Sequence, residues 1–172
     1  MDFQNYSSKK NRIEFQYPAG WTCEEYMSND ETSPTYIATK SLDATSGILV
    51  IYSANLMSTF GTSLFPHALY ESYNSSTSYG KDNKIEVIET PHPVTIDGVQ
   101  TAGTFIIRHK NESPAFVTQT WIVYLGIVAN EEFHIGEYGY KIIFRSEDFH
   151  DPRNIEIRKQ LLKYMKFYKA QI

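Results

Sequence analysis

The sequence predicts an α+β domain: a twisted antiparallel β-sheet with helices packed on it, an α/β/α sandwich in outline. Three observations predict it. Short runs rich in Tyr, Phe, Val and Ile, bounded by turn residues, fill most of the chain. Apolar residues recur at helical spacing in two stretches, one mid-chain and one at the end. The order is strands, helix, long strands, helix, which is not the strand–helix alternation of a parallel sheet.

Residues 13–17 read as a strand that stops at the turn Pro18-Ala19-Gly20. Residues 21–27 continue extended, and 28–34 form a polar loop. Residues 36–40 and 47–53 are paired strands with their turn at 42–46. The first helix spans 63–74. Ser63 caps it, Pro66 suits its first turn, and Phe65, Leu69 and Tyr73 make one apolar stripe. A polar loop containing Gly80 follows over 74–83. Residues 84–89 form a strand ending near Pro91-His92-Pro93, and Asp97-Gly98 is a hairpin turn.

Residues 99–110 and 116–129 are two long strands joined by the polar turn 111–114. In the second, Val117, Gln119, Trp121, Val123, Leu125 and Ile127 share one face. Ile122, Tyr124 and Val128 share the other, so the strand is central and covered on both sides. Gly126 marks a bulge. An acidic loop or hairpin end occupies 130–139, and 140–146 is the last strand. Asp151 as N-cap and Pro152 as first helical residue open the final helix. Ile157, Leu161, Tyr164, Met165 and Tyr168 form a stripe at helical spacing. Arg158, Lys159, Lys163, Lys166 and Lys169 collect toward its C-terminal end, where the helix dipole favours cations.

A chain of 172 residues suits a single domain, 1–172, that folds without a disulfide or metal. Its 41% hydrophobic and 21% charged residues exclude a disordered chain. A net charge of −4 gives no basic footprint for nucleic acid. The lysines of the final helix have no apolar edge beside them, so they read as a solvated face rather than a membrane contact. The longest apolar run, 121–129, is too short to cross a bilayer as a helix. The 13 Tyr and 10 Phe fall mostly in the strands, where aromatics pack well, although Tyr also serves recognition surfaces. Cys23 has no partner for an internal disulfide and reads as a small buried hydrophobe.

Two segments carry a family resemblance. Arg12-Ile13-Glu14-Phe15-Gln16-Tyr17-Pro18-Ala19-Gly20-Trp21 resembles the opening of PsbP-like domains, where a strand runs into a Tyr-Pro-x-x-Trp turn. Gly139-Tyr140-Lys141-Ile142-Ile143-Phe144, then Phe149, then Met165-Lys166-Phe167 resembles the closing strand and helix of that family. The strand at 48–52 and the helix at 63–74 fall where the family places them. The resemblance implies a fold like that of a nuclear-transport factor that binds a small GTPase. It also implies a non-catalytic role. Plant members are extrinsic subunits on the lumenal side of photosystem II, where they help retain calcium and chloride. Related domains in non-photosynthetic microbes are often exported. Nothing here resembles the basic N-terminal tail by which plant members dock, so a non-photosynthetic type is expected.

No Gly-x-Ser-x-Gly elbow, phosphate-binding glycine loop or Cys-x-x-Cys occurs, so no enzyme and no catalytic residue is expected. The best chemical candidates are the acidic stretch Glu131, Glu132, His134 and Glu137 and, after the next strand, Asp148, His150 and Asp151. From these, Glu132, His134, Glu137, Asp148 and His150 form the candidate metal set. Imidazole with carboxylates suits zinc or manganese better than calcium. The simpler reading is a solvated acidic rim, because a hairpin end is where charges belong. His92 lies between two prolines and reads as an exposed loop residue; His67 and His109 read as surface residues.

The expected function is a non-enzymatic accessory or protein-interaction module, acting as a monomer on a protein partner, with no cofactor. The partner is sought in the cell envelope. Two alternatives stand beside it: a divalent-metal-binding protein using 131–137 and 148–151, and a small-ligand carrier with a pocket between sheet and helix. Met1-Asp2-Phe3-Gln4 lacks the regions of a signal peptide, so an extracytoplasmic location is expected on condition that an export signal has been removed.

Overall fold

The structure is a computed structural model that describes residues 1–26, 34–53, 65–78, 85–129 and 135–168; at 126–129 and 135–137 only the backbone is described. The elements run β1 (Phe3–Ser8), β2 (Ile13–Pro18), β3 (Thr22–Tyr26), β4 (Thr35–Lys40), β5 (Ser46–Ser53), α1 (His67–Ser78), β6 (Ile85–Ile96), β7 (Val99–His109), β8 (Phe116–Ala129), β9 (Ile135–Ser146), α2 (Pro152–Lys163) and β10 (Lys166–Phe167). Seven strands form one antiparallel sheet in the order β3-β4-β5-β9-β8-β7-β6, and β1-β2-β10 form a second, smaller one.

Alternation along the strands sets the layers. On one face of the large sheet, Ile37, Val50, Trp121, Tyr140, Ile142 and Phe144 are buried. The small sheet covers them with Ile13 and Phe15, and α2 with Ile157 and Leu161. On the other face, Phe105, Ile107, Ile122 and Tyr124 form a separate cluster under Ala68 and Leu69 of α1. Strand β8 is therefore covered on both sides, as its sequence predicts. The two helices lie on opposite faces, which gives the expected α/β/α layering. Gly103 lets α1 approach closely: a Cβ there would stand 2.4 Å from Leu69 Cδ2.

The local signals behave as their chemistry requires. Asp97 and Gly98 both have positive φ (49° and 73°), and they join Ile96 to Val99 in a tight hairpin. The β8–β9 register slips between Tyr124 and Gly126, so the bulge expected at Gly126 is there. Asp151 Oδ1 accepts a hydrogen bond from the Arg153 amide at 2.8 Å and caps α2.

Several boundaries differ from the sequence reading. Strand β6 continues through Pro91-His92-Pro93 to Ile96, because it is an edge strand and its outer side needs no amide donors. Strand β9 begins at Ile135 rather than 140, since the bulge lets 135–139 keep pairing with β8. Helix α1 runs to Ser78, four residues past the expected 74, while 63 and 64 lie outside the described residues. Strand β1 was not anticipated: its polar sequence FQNYSS carries little apolar signal, and it pairs as an edge of the small sheet. Cys23 is half-buried at the core margin, next to Tyr17, and burial pushes its thiol up.

Candidate functional site

Of the candidate metal residues, the structure describes Glu137, Asp148 and His150, and it sets Glu137 apart from the other two. Glu131, Glu132 and His134 lie outside the described residues. Glu137 stands on β9 opposite Ile127, and Asp148 and His150 follow the other end of that strand. From Glu137 to Ser146 the strand is about 30 Å long at 3.3 Å per residue, a span no single ion bridges. Among the described residues no group of three or more His, Cys, Asp or Glu side chains is placed to hold an ion.

The 148–151 turn has visible structural duties. The Asp148 amide donates to Ser146 Oγ at 3.0 Å, and its carbonyl accepts from Asn154 Nδ2 at 2.6 Å. His150 packs edge-on against Phe149 at 5.2 Å.

Beside this turn lies a groove of about 270 Å³, floored by Ala115, Phe116, Val117 and Phe149 and rimmed by Arg108, Glu147, Asp148 and His150. It sits between the β7–β8 end of the sheet and the turn into α2. Its volume falls just below the ~300–1,000 Å³ of most small-ligand sites. Several groups around it already have partners. Arg108 lies 3.7 Å from Glu86, which also holds Lys110 at 2.6 Å. Phe116 stacks with the His109 ring at 4.3 Å and with the Arg145 guanidinium at 3.8 Å. Arg158 covers Phe149 at 3.6 Å and donates to its carbonyl at 2.8 Å; burial lowers its guanidinium to about 10.

A different surface stands out on the α1 side of the large sheet. Helix α1 covers β6, β7 and β8 there. Over β3, β4, β5 and β9 the register aligns two cross-strand rows. One runs Tyr26, Tyr36, Ile51, Lys141; the other runs Glu24, Ala38, Leu49, Ile143. Tyr26 is 55% exposed and Tyr36 39%. Ala38, Leu49, Ile51, Lys141 and Ile143 are half-buried. The apolar members join neither core cluster among the described residues. Tyr26 donates its hydroxyl proton to Glu24. Sequence reasoning passed over this face. Its signal was apolar residues on both sides of 36–40 and 47–53, the pattern that marks β8 as doubly covered.

No family model and no curated protein matches the sequence. Among solved structures, the chain is similar to the solution structure of cyanobacterial PsbP from Synechocystis sp. PCC 6803. The two share 17% identity over 96% of this chain and 92% of that one, with a TM-score of 0.55. At that identity the likeness is one of architecture, and it agrees with the resemblance carried by residues 12–21 and 139–167: the chain has a PsbP-like α+β fold.

Proposed function

We propose that this domain is a non-enzymatic accessory module that binds another protein through the β3–β4–β5 face, beside the strands that α1 covers. The observation that carries it is the Tyr26–Tyr36 pair, two neighbouring exposed rings on a sheet whose opposite face is core. Tyrosine brings a large apolar area, a polar tip and few rotatable bonds, which suits a binding surface. The half-buried Leu49 and Ile51 beside it extend the apolar area into a continuous patch.

The test is photo-crosslinking in the host organism. A photoreactive residue is placed at position 26, 36 or 42; Leu42 is 82% exposed in the β4–β5 turn and serves as the control. Adducts are sought first in the envelope fraction, where an exported domain would meet its partner. One intermolecular adduct is expected from 26 and from 36 and none from 42. Equal labelling from all three positions, or adducts only within the chain, would show that the face is not a partner surface.

A further inference from the structure

Lys141 stands on the α1 side of the large sheet between Ile51 of β5 and Ile122 of β8, with Ile143 next along β9 on the same side. It is half-buried. Among the described residues its ammonium makes no ion pair and no hydrogen bond. The other half-buried cations among the described residues are compensated. Arg158 has a carbonyl and two aromatic faces, and Arg12 lies 5.4 Å over Tyr138. Lys141 has neither kind of support. Burial alone pulls it below the ordinary lysine range. An ammonium withdrawn from water without a counter-charge costs the free protein stability. Local conflicts of this kind concentrate at functional sites.

We propose that the β3–β4–β5–β9 face receives a segment of a partner protein that carries one carboxylate among apolar side chains. The carboxylate pairs with Lys141, and the apolar side chains lie on Tyr26, Tyr36, Leu49 and Ile51. This rests on the binding role proposed above and adds the partner's chemistry. Charge complementarity selects the carboxylate: it is the group that turns an unpaired cation into a pair at a desolvated position. Glu24 orients the segment. It lies on β3, three strand spacings or about 14 Å from β9, so a carboxylate reversed end to end would meet a like charge. A fatty acid offers the same two groups. Displacement by a fatty acid is therefore one arm of the test below.

The experiment uses the whole chain and three variants: Lys141→Met, Lys141→Arg and Tyr36→Ser. A displayed library of random linear peptides is selected on the wild-type protein, and each selected peptide is titrated against all four proteins. The selected peptides are expected to carry Asp or Glu among apolar residues. They should bind Lys141→Met about tenfold or more weakly, bind Lys141→Arg about as well as wild type, and bind Tyr36→Ser weakly. Thermal melts without peptide supply a second readout. Lys141→Met should melt ~2–4 °C higher, the effect of removing about 1 kcal/mol of unpaired charge from a chain of this size. Apolar peptides that lose binding on Tyr36→Ser but not on Lys141→Met would overturn the carboxylate and leave the binding face standing. Peptides indifferent to Tyr36→Ser would remove both. A lower melting temperature for Lys141→Met would show that the ammonium is satisfied within the chain, and saturable displacement of the peptides by laurate would assign the face to lipid; either overturns the proposal.

Discussion

Asn154 shows how much one buried polar side chain can tie together. Its Nδ2 donates to Ser146 Oγ at 2.9 Å and to the Asp148 carbonyl at 2.6 Å, while its Oδ1 accepts from Ser46 Oγ at 3.3 Å. Ser46 and Ser146 are themselves 2.8 Å apart, so β5, β9 and α2 are joined at one buried point. Asn154→Ala is expected to cost about 1–3 kcal/mol in urea unfolding, because it strands buried hydroxyls and a carbonyl. An unchanged midpoint would mean that water takes over those bonds. Asp151, three residues earlier, was legible in the sequence because a cap acts on its own helix. Asn154 was not, because the Ser46 contact joins residues 108 positions apart. Distance in sequence likewise hid the Tyr6–Glu25 hydrogen bond and the unpaired state of Lys141, which reads in a strand as an ordinary outward-facing charge.

At the scale of elements, period and turn chemistry carried most of the information. The central place of β8, the bulge at Gly126, the Asp97-Gly98 hairpin and the start of α2 all follow from neighbours in sequence. Two of the misreadings share one physical cause, which is an edge position in a sheet. Prolines that would end an interior strand are harmless in β6 because it is an edge, and β1 pairs at an edge with little apolar signal of its own. Packing between elements was equally hidden. Nothing in the sequence around Gly103 shows that α1 seats Leu69 there. Gly103→Ala should destabilise by about 1–3 kcal/mol, since the new methyl meets both the buried Leu69 and the His92 carbonyl, 3.1 Å away. A helix free to slide would absorb the methyl, and the variant would then unfold at the wild-type denaturant concentration.

For the molecule as a whole, the two faces of the large sheet differ in kind. One is sealed by the small sheet and α2 around tyrosines whose hydroxyls are spent internally; on the other, among the described residues, α1 packs over β6, β7 and β8. The sealed side predicts the alkaline limit of stability. Tyr6 is pushed up to about 12, first by desolvation and then by the Glu25 carboxylate that accepts its proton. Tyr140, deep in the core, donates to the Arg12 carbonyl at 2.9 Å and is raised further by burial. Both folded values lie above the 10.0 of an exposed tyrosine. The unfolded chain therefore loses these protons first as pH rises. Stability from the two hydroxyls is complete below about pH 10 and declines above it. Tyr6 stops adding to the decline near 12, and Tyr140 continues beyond that. Each group that is ionised only in the unfolded chain contributes about 1.4 kcal/mol per pH unit. Urea midpoints should be flat near pH 9 and fall steeply by pH 11, with the tyrosinate absorbance of the sealed cluster appearing only as the protein unfolds. Tyr140→Phe should be less stable at pH 8, for want of its carbonyl hydrogen bond, yet lose less on going to pH 11. Equal slopes for the variant and the wild type would mean that Tyr140 ionises in the folded core, and the face described as sealed would then be open to hydroxide.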